Sequence, residues 1–324
     1  MKIAVVILNW NGQKLLKEFL PSVVKYSTEA TVYVIDNAST DDSVSYIKNT
    51  FPAVQLVQLD QNYGYAGGYN RGLQHIDAEL FALVNSDVEV AENWLSPVLK
   101  TFENEPDTAV IQPKIKDYKN KKMFEYAGAA GGFLDFFGYP YCDGRIMFNV
   151  EEDKGQYNQP KEIFWASGAC FFIRKDTFER HKGFDESFFA HQEEIDLCWR
   201  IKHTGKHIKY VPESEVYHLG GASLNAQSPF KTYLNFRNNL MMMLKNLPAF
   251  FTFPVIFSRL ILDGLAGIIF LLQGKPQHTW AVVKAHFGFY KRIPKILKQR
   301  PKNPIKKYYN RFSIFIKTDV PDIG

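Results

Sequence analysis

The first hundred residues of this 324-residue chain alternate between short apolar runs and segments with helical periodicity. Apolar runs at 3–8, 32–35, 54–59 and 81–84 are separated by helical patterns at 13–26, 42–49 and 66–75. This alternation is typical of β-α-β units, in which parallel strands are joined by right-handed helical crossovers. We therefore expect an α/β fold with a mainly parallel sheet flanked by helices.

The fourth apolar run leads directly into a carboxylate, in the sequence LFALVNSDVEV at 80–90. Consecutive apolar residues are typical of a strand that is buried on both faces. Asp87 should then lie at the carboxyl edge of the sheet, where open α/β folds bind ligands. A carboxylate at such a place needs a partner, and the sequence leaves open a cation, an arginine or a set of hydrogen-bond donors.

Polar residues also follow the other three strands, and a nucleotide is the expected ligand of that edge. They include Asn9, Asp36, Asn62, Gly64 and Arg71. A helix that begins near residue 66 would direct its amides at a phosphate, and Arg71 could pair with a phosphate or with Asp36. The chain lacks GxGxxG after the first strand and has no GxxxxGK, which argues against dinucleotide-binding and P-loop sites.

A second group of acidic residues lies in GFDESFFAHQEEIDLCWR, at 183–200. Glu193, Glu194 and Asp196 fall at a helix start, where the helix dipole stabilises carboxylates. A carboxylate there that faces the ligand edge suits a general base, although an ordinary acidic first turn explains Glu193 or Asp196 taken singly. His218, expected in a polar loop after a strand at 208–211, is a candidate metal ligand.

The glycine- and aromatic-rich segment at 111–163 indicates hairpins and loops beside the sheet. Cys142, Cys170 and Cys198 are scattered, which indicates buried thiols in a reducing compartment. The apolar run at 3–8 is too short for a signal segment. These features favour a cytoplasmic location.

The C-terminal quarter is apolar and basic, with no Asp or Glu between Gly264 and Thr318. Its apolar stretch at 247–273 is interrupted by Arg259 and Asp263, so neither uncharged run reaches the ~20 residues of a spanning helix. We expect an interfacial or hairpin-like element on an anionic membrane leaflet. The alternative is a helical pair packed on its own domain or on a second subunit, which would give a homodimer.

Seven ordered motifs resemble family 2 of the inverting nucleotide-sugar glycosyltransferases, closest to its bacterial rhamnosyltransferase-like branch. They are VVILNWNG, VIDNASTDDS, NYGYAGGYNRGL, LVNSDVEV, WASGACFFIRKDTF, GFDESFFAHQEEIDLCWR and VPESEVYHLGGAS. The resemblance covers residues 1–239. It implies a GT-A catalytic domain at 1–240, followed by a helical, membrane-associated extension at 241–324.

The resemblance also implies roles for individual residues. Asn9 and Asp36 would meet the base and ribose of the donor, whereas Asn62, Gly64 and Arg71 would lie near the ribose and diphosphate.

Asn85-Ser86-Asp87 occupies the place of the family's DXD motif, with Asn85 in place of the first acid. Asp87 would therefore carry the contact to Mg²⁺ or Mn²⁺, together with His218. The general base maps to Glu194, one methylene longer than the family's usual Asp, with Glu193 as the alternative.

The implied activity moves a sugar from a dTDP-rhamnose-like or UDP-hexose donor to a hydroxyl of a glycan or lipid-linked acceptor. This would occur in cell-surface polysaccharide synthesis, at the inner face of the plasma membrane. A sugar nucleotidyltransferase is an alternative, but the first strand lacks that class's basic, glycine-rich loop. A non-catalytic nucleotide-sugar or membrane-binding module is the other alternative. No nucleic-acid partner is expected.

Overall fold

The computed structural model describes residues 1–147, 149–220 and 228–315. The strands are β1 Ile3–Asn9, β2 Thr31–Asp36, β3 Gln55–Gln58, β4 Leu80–Asn85, β5 Val88–Val90, β6 Thr108–Asp117, β7 Gly132–Leu134, β8 Pro140–Cys142, β9 Arg145–Ile146, β10 Asn149–Val150, β11 Lys161–Glu162, β12 Cys170–Arg174 and β13 His207–His218. The helices are α1 Gln13–Tyr26, α2 Ser43–Thr50, α3 Gly64–Gly72, α4 Ser96–Asn104, α5 Lys175–Arg180, α6 Glu193–Lys202, α7 Pro229–Asn246, α8 Ala249–Leu272, α9 Pro276–Tyr290 and α10 Ile293–Lys298. Short 3₁₀ turns lie at Leu73–His75 and Glu186–Phe188.

A nine-stranded sheet forms the centre, in the order β11-β13-β6-β12-β4-β1-β2-β3, with β5 paired to β13. The strands β4, β1, β2 and β3 are parallel, whereas β12 runs antiparallel between β4 and β6. This confirms the expected α/β fold, with its first hundred residues forming a parallel half-sheet.

The sheet is covered on both faces. Along β1, Ile3, Val5 and Ile7 pack into one apolar cluster, while Ala4 and Val6 pack into the other. Successive strand residues point to opposite faces, so a strand buried on both sides must be apolar throughout. This is why the apolar runs of β1 and β4 were readable as strands.

The expected loop at 111–163 is only partly correct. β6 is a ten-residue strand of the central sheet, whereas β7 to β10 form a separate four-stranded hairpin sheet. Lys114 obscured β6 in the sequence, but its ammonium is buried and lies 3.0 Å from Asp153 Oδ2. A buried charge that has such a partner can occupy a central strand.

β13 also corrects an expectation, because His218 ends a twelve-residue strand and does not lie in a loop. The register of β13 against β6 shifts between Val211 and Glu215, which accommodates the polar residues that obscured the strand. Beyond this irregularity, β13 pairs with both β6 and β5 up to His218. The end of the seventh motif, residues 221–223, lies outside the described residues.

α8 is one continuous 24-residue helix. Arg259 and Asp263 therefore do not divide this segment into two parts, contrary to the expected hairpin-like element. Arg259 Nη2 lies 3.3 Å from Asp263 Oδ1, and His286 of α9 lies 3.4 Å from Asp263 Oδ2. Because Arg259 and Asp263 are buried one turn apart, they compensate each other. Among the described helices, α8 alone is long and apolar enough to cross a membrane by length and composition.

Candidate active site

Asp87 and His218 are brought together by the pairing of β5 with β13. His218 lies opposite Val88, and the Leu219 amide donates to the Asp87 carbonyl at 3.0 Å. The Asp87 Oδ1 atom is 3.2 Å from His218 Nε2, and Glu125 Oε1 is 3.3 Å from His218 Nδ1. All three side chains are buried, so the imidazole lies between two carboxylates.

Two carboxylates change the protonation of His218. Burial lowers its pKa, but the contacts with Asp87 and Glu125 outweigh burial and raise the pKa to about 10. The imidazole therefore carries a proton at neutral pH, and a divalent cation could take the place of that positive charge. A carboxylate behind a metal-binding histidine is a common way to orient the ring.

This donor set fits a divalent cation that also binds substrate. Within the described residues, no group of three or more His, Cys, Asp or Glu side chains is arranged to hold a metal ion by itself. An ion held by Asp87 and His218 would thus complete its shell with phosphate oxygens and water, which is usual for Mg²⁺ sites that bind phosphates.

The expected donor residues line the carboxyl ends of β1 and β2. Asn9 lies opposite Asp36 in the parallel register, and its Nδ2 donates to Asp36 Oδ1 at 3.1 Å. The second Asp36 oxygen accepts from the Ser39 amide at 2.9 Å. Asn9 Nδ2 also donates to the Ser39 hydroxyl at 3.1 Å, so the three side chains form one rigid network.

Asn62 and Gly64 form the start of α3. The Asn62 side-chain oxygen accepts from the Gly64 amide at 2.8 Å and from Asn37 Nδ2 at 2.9 Å. The glycines further along α3 serve packing, since a Cβ at Gly68 would lie 2.8 Å from Leu8 Cδ1. They therefore let the helix approach the sheet closely.

Arg71 has a carboxylate partner, but it is Glu186 and not Asp36. Its Nη1 lies 2.8 Å from Glu186 Oε1, and its guanidinium stacks 3.8 Å from the Tyr63 ring centroid. Both side chains of the ion pair are partly exposed. Arg71 is thus held at the surface by contacts that a diphosphate could replace.

Glu193 and Glu194 begin α6 but lie in different environments. Glu193 is buried, its Oε2 atom has no hydrogen-bond partner among the described residues, and burial raises its pKa well above the usual range. Glu194 is partly exposed, and burial raises its pKa to about 7 despite stabilising backbone hydrogen bonds. Glu194 is therefore the acid that can both reach a substrate and exchange a proton near neutral pH.

Asp196 belongs to a structural network. Its Oδ2 atom accepts from Lys245 Nζ at 2.9 Å and from Arg200 Nε at 2.7 Å, and Lys245 also reaches Asp185 at 2.8 Å. Burial opposes ionisation, but Lys245 and Arg200 lower the pKa of Asp196 below its usual value. Asp196 is thus a structural acid of the first helical turn, and the buried Lys245 ammonium stabilises its charge.

Gly168 connects the Asp87 turn to Glu194. The neighbouring Ala169 carbonyl accepts from the Asn85 amide at 2.9 Å. A Cβ at Gly168 would lie 3.7 Å from the Glu194 carboxyl carbon and 3.2 Å from the Tyr65 hydroxyl, which donates to the Gly168 carbonyl at 2.9 Å. Tyr65 of α3 and Glu194 of α6 thus lie beside Gly168, and the next residue, Ala169, pairs with Asn85 at the start of the Asn85–Asp87 turn.

Sequence reasoning missed Glu125, Tyr65 and Gly168 as members of this site. Gly168 and Tyr65 fall inside motifs that were noticed, WASGACFFIRKDTF and NYGYAGGYNRGL. Glu125 falls in an irregular segment, and only the fold brings it to His218.

Comparison with known proteins identifies the family of the chain. The family model of glycosyl transferase family 2 matches residues 4–182. The chain is 26% identical over 234 residues to an N-acetylglucosaminyl-diphospho-decaprenol L-rhamnosyltransferase of Mycobacterium tuberculosis, covering 67% of this chain and 75% of that protein. It is 22% identical over 244 residues to the low-salt glycan biosynthesis hexosyltransferase Agl10 of Haloferax volcanii, covering 74% of each.

Solved structures share the fold. GalNAc-T7 with UDP, GalNAc and Mn²⁺ superposes with a TM-score of 0.62 at 17% identity, covering 94% of this chain and 59% of that chain. The S. aureus TarS fragment with UDP-GlcNAc gives a TM-score of 0.55 at 16% identity, covering 91% and 84%. The mannosyltransferase PcManGT of Pyrobaculum calidifontis, with GDP-Man and Mn²⁺, gives 0.54 at 16% identity, covering 90% and 87%.

Proposed function

Since this chain belongs to glycosyl transferase family 2, we propose that it is a metal-dependent, inverting glycosyltransferase. The observation that carries the proposal is that Glu194 lies beside Gly168 while the next residue, Ala169, bonds to Asn85, which begins the turn that contains Asp87. A proton acceptor and an anion-stabilising group are thus available at one sheet edge. Both are needed when a hydroxyl displaces a diphosphate.

Glu194 acts as the general base in this proposal. It accepts the proton of the acceptor hydroxyl while the oxygen attacks the anomeric carbon from the side opposite the diphosphate. One displacement inverts that carbon, so no covalent nucleophile on the protein is required. A pKa near 7 allows Glu194 to be ionised at neutral pH and still basic enough to take the proton.

Asp87 and His218 would hold Mg²⁺ or Mn²⁺, and the imidazole nitrogen favours Mn²⁺. When bound, such an ion supplies positive charge where the leaving diphosphate develops negative charge. Glu125 orients His218, and Arg71 would exchange Glu186 for a phosphate oxygen. Asn9, Asp36, Asn62, Gly64 and Asn85 would then bind the nucleoside and ribose.

We propose substrates for this chain from those named for similar proteins. The mycobacterial relative is named as an L-rhamnosyltransferase on a diphospho-decaprenol-linked sugar, and TarS was solved with UDP-GlcNAc. We propose a dTDP-rhamnose-like or UDP-hexose donor and a glycan or lipid-linked acceptor. The product would contribute to cell-surface polysaccharide.

We further propose that the C-terminal part, 241–324, attaches the catalytic part, 1–240, to the cytoplasmic leaflet, with α7 continuing across this division. α8 has an exposed face of large apolar side chains, with Phe250 84% exposed and Phe253 77% exposed. An apolar cavity of about 570 Å³ at the start of α8 is also bordered by Lys306 and Lys307. Apolar surface beside exposed lysines suits an anionic leaflet.

An orientation along the leaflet fits α8 better than a spanning one. Near its midpoint, Arg259 donates to the Phe137 carbonyl at 3.0 Å and stacks 3.7 Å from the Tyr139 ring centroid. These residues lie in the turn between β7 and β8, and irregular backbone of this kind is excluded from lipid hydrocarbon. The helix therefore has a protein-facing side and a lipid-facing side along its whole length.

Vesicle binding tests this attachment. The double substitution Phe253→Glu with Phe257→Glu should abolish co-sedimentation with vesicles that contain anionic phospholipid, whereas leucine at both positions should retain it. Substitution is preferable to truncation because Tyr308 is packed in the core. Unchanged binding of the glutamate variant would refute the attachment, and a concentration-dependent dimer that buries this face would replace it.

Metal-dependent release of the nucleoside diphosphate tests the catalytic proposal. The purified protein, supplied with Mn²⁺ and a panel of nucleotide sugars, should release UDP or dTDP from one donor class. The release should disappear with a chelator. Failure with every donor, with and without lipid-linked acceptors, would contradict the proposal.

A further inference from the structure

The backbone that leads into α6 follows an unusual path. Phe189, His191 and Gln192 all have positive φ, at 69°, 69° and 71°. Positive φ is disfavoured for residues with a Cβ, so three such residues among four consecutive positions strain the backbone of this segment. Gln192 immediately precedes Glu193 and Glu194, so the path of this segment sets where the helix begins.

One buried side chain of α7 binds this strained segment. Asn238 is fully buried, and its Nδ2 donates to the carbonyls of Phe188, Ala190 and His191, at 3.0, 2.8 and 2.8 Å. Three carbonyls can converge on one amide nitrogen only if the backbone turns around it. The observed left-handed residues provide that turn.

Neighbouring contacts reinforce this arrangement. Arg237 donates to the Asn238 side-chain oxygen at 2.7 Å and to the Phe188 carbonyl at 2.9 Å. Gln192 Nε2 donates to the Asn235 carbonyl at 3.3 Å. The Asn238 oxygen is thus committed to Arg237, which leaves its NH₂ group oriented toward the loop.

We propose that Asn238 is a positioning residue, which holds the left-handed path of residues 188–192 and thereby fixes where α6 presents Glu194. This inference rests on the proposed function, because it assigns Glu194 as the base. It extends that function to α7, a helix outside the residues matched by the family model. The NH₂ group of Asn238 bonds to backbone carbonyls only, so Asn238 acts through the position of Glu194.

The isosteric substitution Asn238→Asp is the sharpest test, because it keeps the shape and replaces both N–H donors with an acceptor facing three carbonyls. We expect kcat to fall about 100-fold, the loss that an ångström-scale misplacement produces. KM for the donor should stay within about twofold, since Asn238 contacts no donor residue. The acid limb of the kcat profile should also move, because Glu194 shifts relative to the titratable groups that face it, which are Glu193, Tyr65 and Cys198.

Asn239→Asp is the matched control. Asn239 is the next residue of α7, is equally buried, and donates to the Gly138 carbonyl at 2.7 Å, in the turn between β7 and β8. It should lose stability similarly without the shift in the acid limb. Equal losses of kcat and equal pH profiles in the two variants would reduce Asn238 to a structural role and overturn the proposal.

A glycine rescue keeps the test decisive if Asn238→Asp folds poorly. Asn238→Ala with Gln192→Gly should recover part of the kcat lost by Asn238→Ala alone, because glycine adopts positive φ without penalty. Absence of rescue in a folded double variant would contradict the proposal.

Hydrogen exchange at 188–192 separates this inference from the proposed function. Loss of protection there in Asn238→Asp is expected whatever the donor. Retained protection in that variant would refute the role of Asn238 in holding residues 188–192, even if the protein transfers sugar. Conversely, if Asn238→Asp loses protection but the wild type has no transferase activity, the role of Asn238 in holding this segment remains and the role of Glu194 is overturned.

Discussion

Glu194→Gln should abolish transfer and yet stabilise the protein at alkaline pH. The structure raises the pKa of this carboxyl from 4.5 to about 7. Between these values the unfolded chain releases the proton and the folded protein keeps it, so stability falls as pH rises from 4.5 to 7 and stays low above. At about 1.4 kcal/mol per pKa unit, the penalty is at most about 3.5 kcal/mol.

Urea unfolding at pH 5 and pH 8 measures this effect. Because Glu194 is partly exposed and couples to Glu193, we expect Glu194→Gln to gain about 1–3 kcal/mol at pH 8 and much less at pH 5. Transfer should fall about 100- to 10,000-fold, the usual contribution of a general base. In the wild type, kcat should drop about tenfold per pH unit below pH 7.

Glu193→Gln distinguishes the two acids. The buried Glu193 is the poorer base, so its substitution should lower kcat far less than Glu194→Gln does. A Glu194→Gln variant that is no more stable than wild type at pH 8, or equally stabilised at both pH values, would refute the reasoning. A kcat profile that is flat between pH 5.5 and pH 8 would do the same.

Three further predictions concern other parts of the site. Asp87→Asn should lower Mn²⁺-dependent nucleotide release at least about 100-fold, measured in a coupled phosphate assay, and Mn²⁺ should no longer enhance nucleotide binding by calorimetry. Lys245→Met should cost about 3 kcal/mol in urea unfolding, because Asp196 and Asp185 lose their shared buried cation; an unchanged midpoint would contradict this. Tyr65→Phe should cost about 1 kcal/mol and lower kcat severalfold, because the bond to the Gly168 carbonyl is lost; a change in KM alone would argue against it.

β1 and β4 were predictable because each is buried on both faces and therefore reads as an apolar run, whereas β2 and β3 were readable from the apolar residues at their centres. β6 and β13 were not, because Lys114 and Glu215 form ion pairs with residues that are distant in sequence. A single sequence contains the lysine but not its distance to Asp153, and that distance decides whether the lysine can be buried.

The candidate site was predictable to a similar extent. Asp87 and the polar residues after the strands were proposed because strand ends meet at one edge of a parallel sheet, whereas Glu194 was proposed from its place at a helix start and from the family resemblance. Glu125 and Asn238 were not found, since each acts through a contact across the fold. Arg71 was found, but its partner Glu186 could not be inferred, because 115 residues separate the two.

The pairing of β5 with β13 has a consequence for how such a site can diversify. The separation of Asp87 and His218 is set by a hydrogen-bonded ladder, in which Val88 faces His218. Inserting one residue between Glu215 and His218 would turn the imidazole to the opposite face of the sheet, since side chains alternate along a strand. Additions after Gly220 would leave the ladder intact. A lineage can therefore remodel the chain beyond the strand without changing the separation of Asp87 and His218.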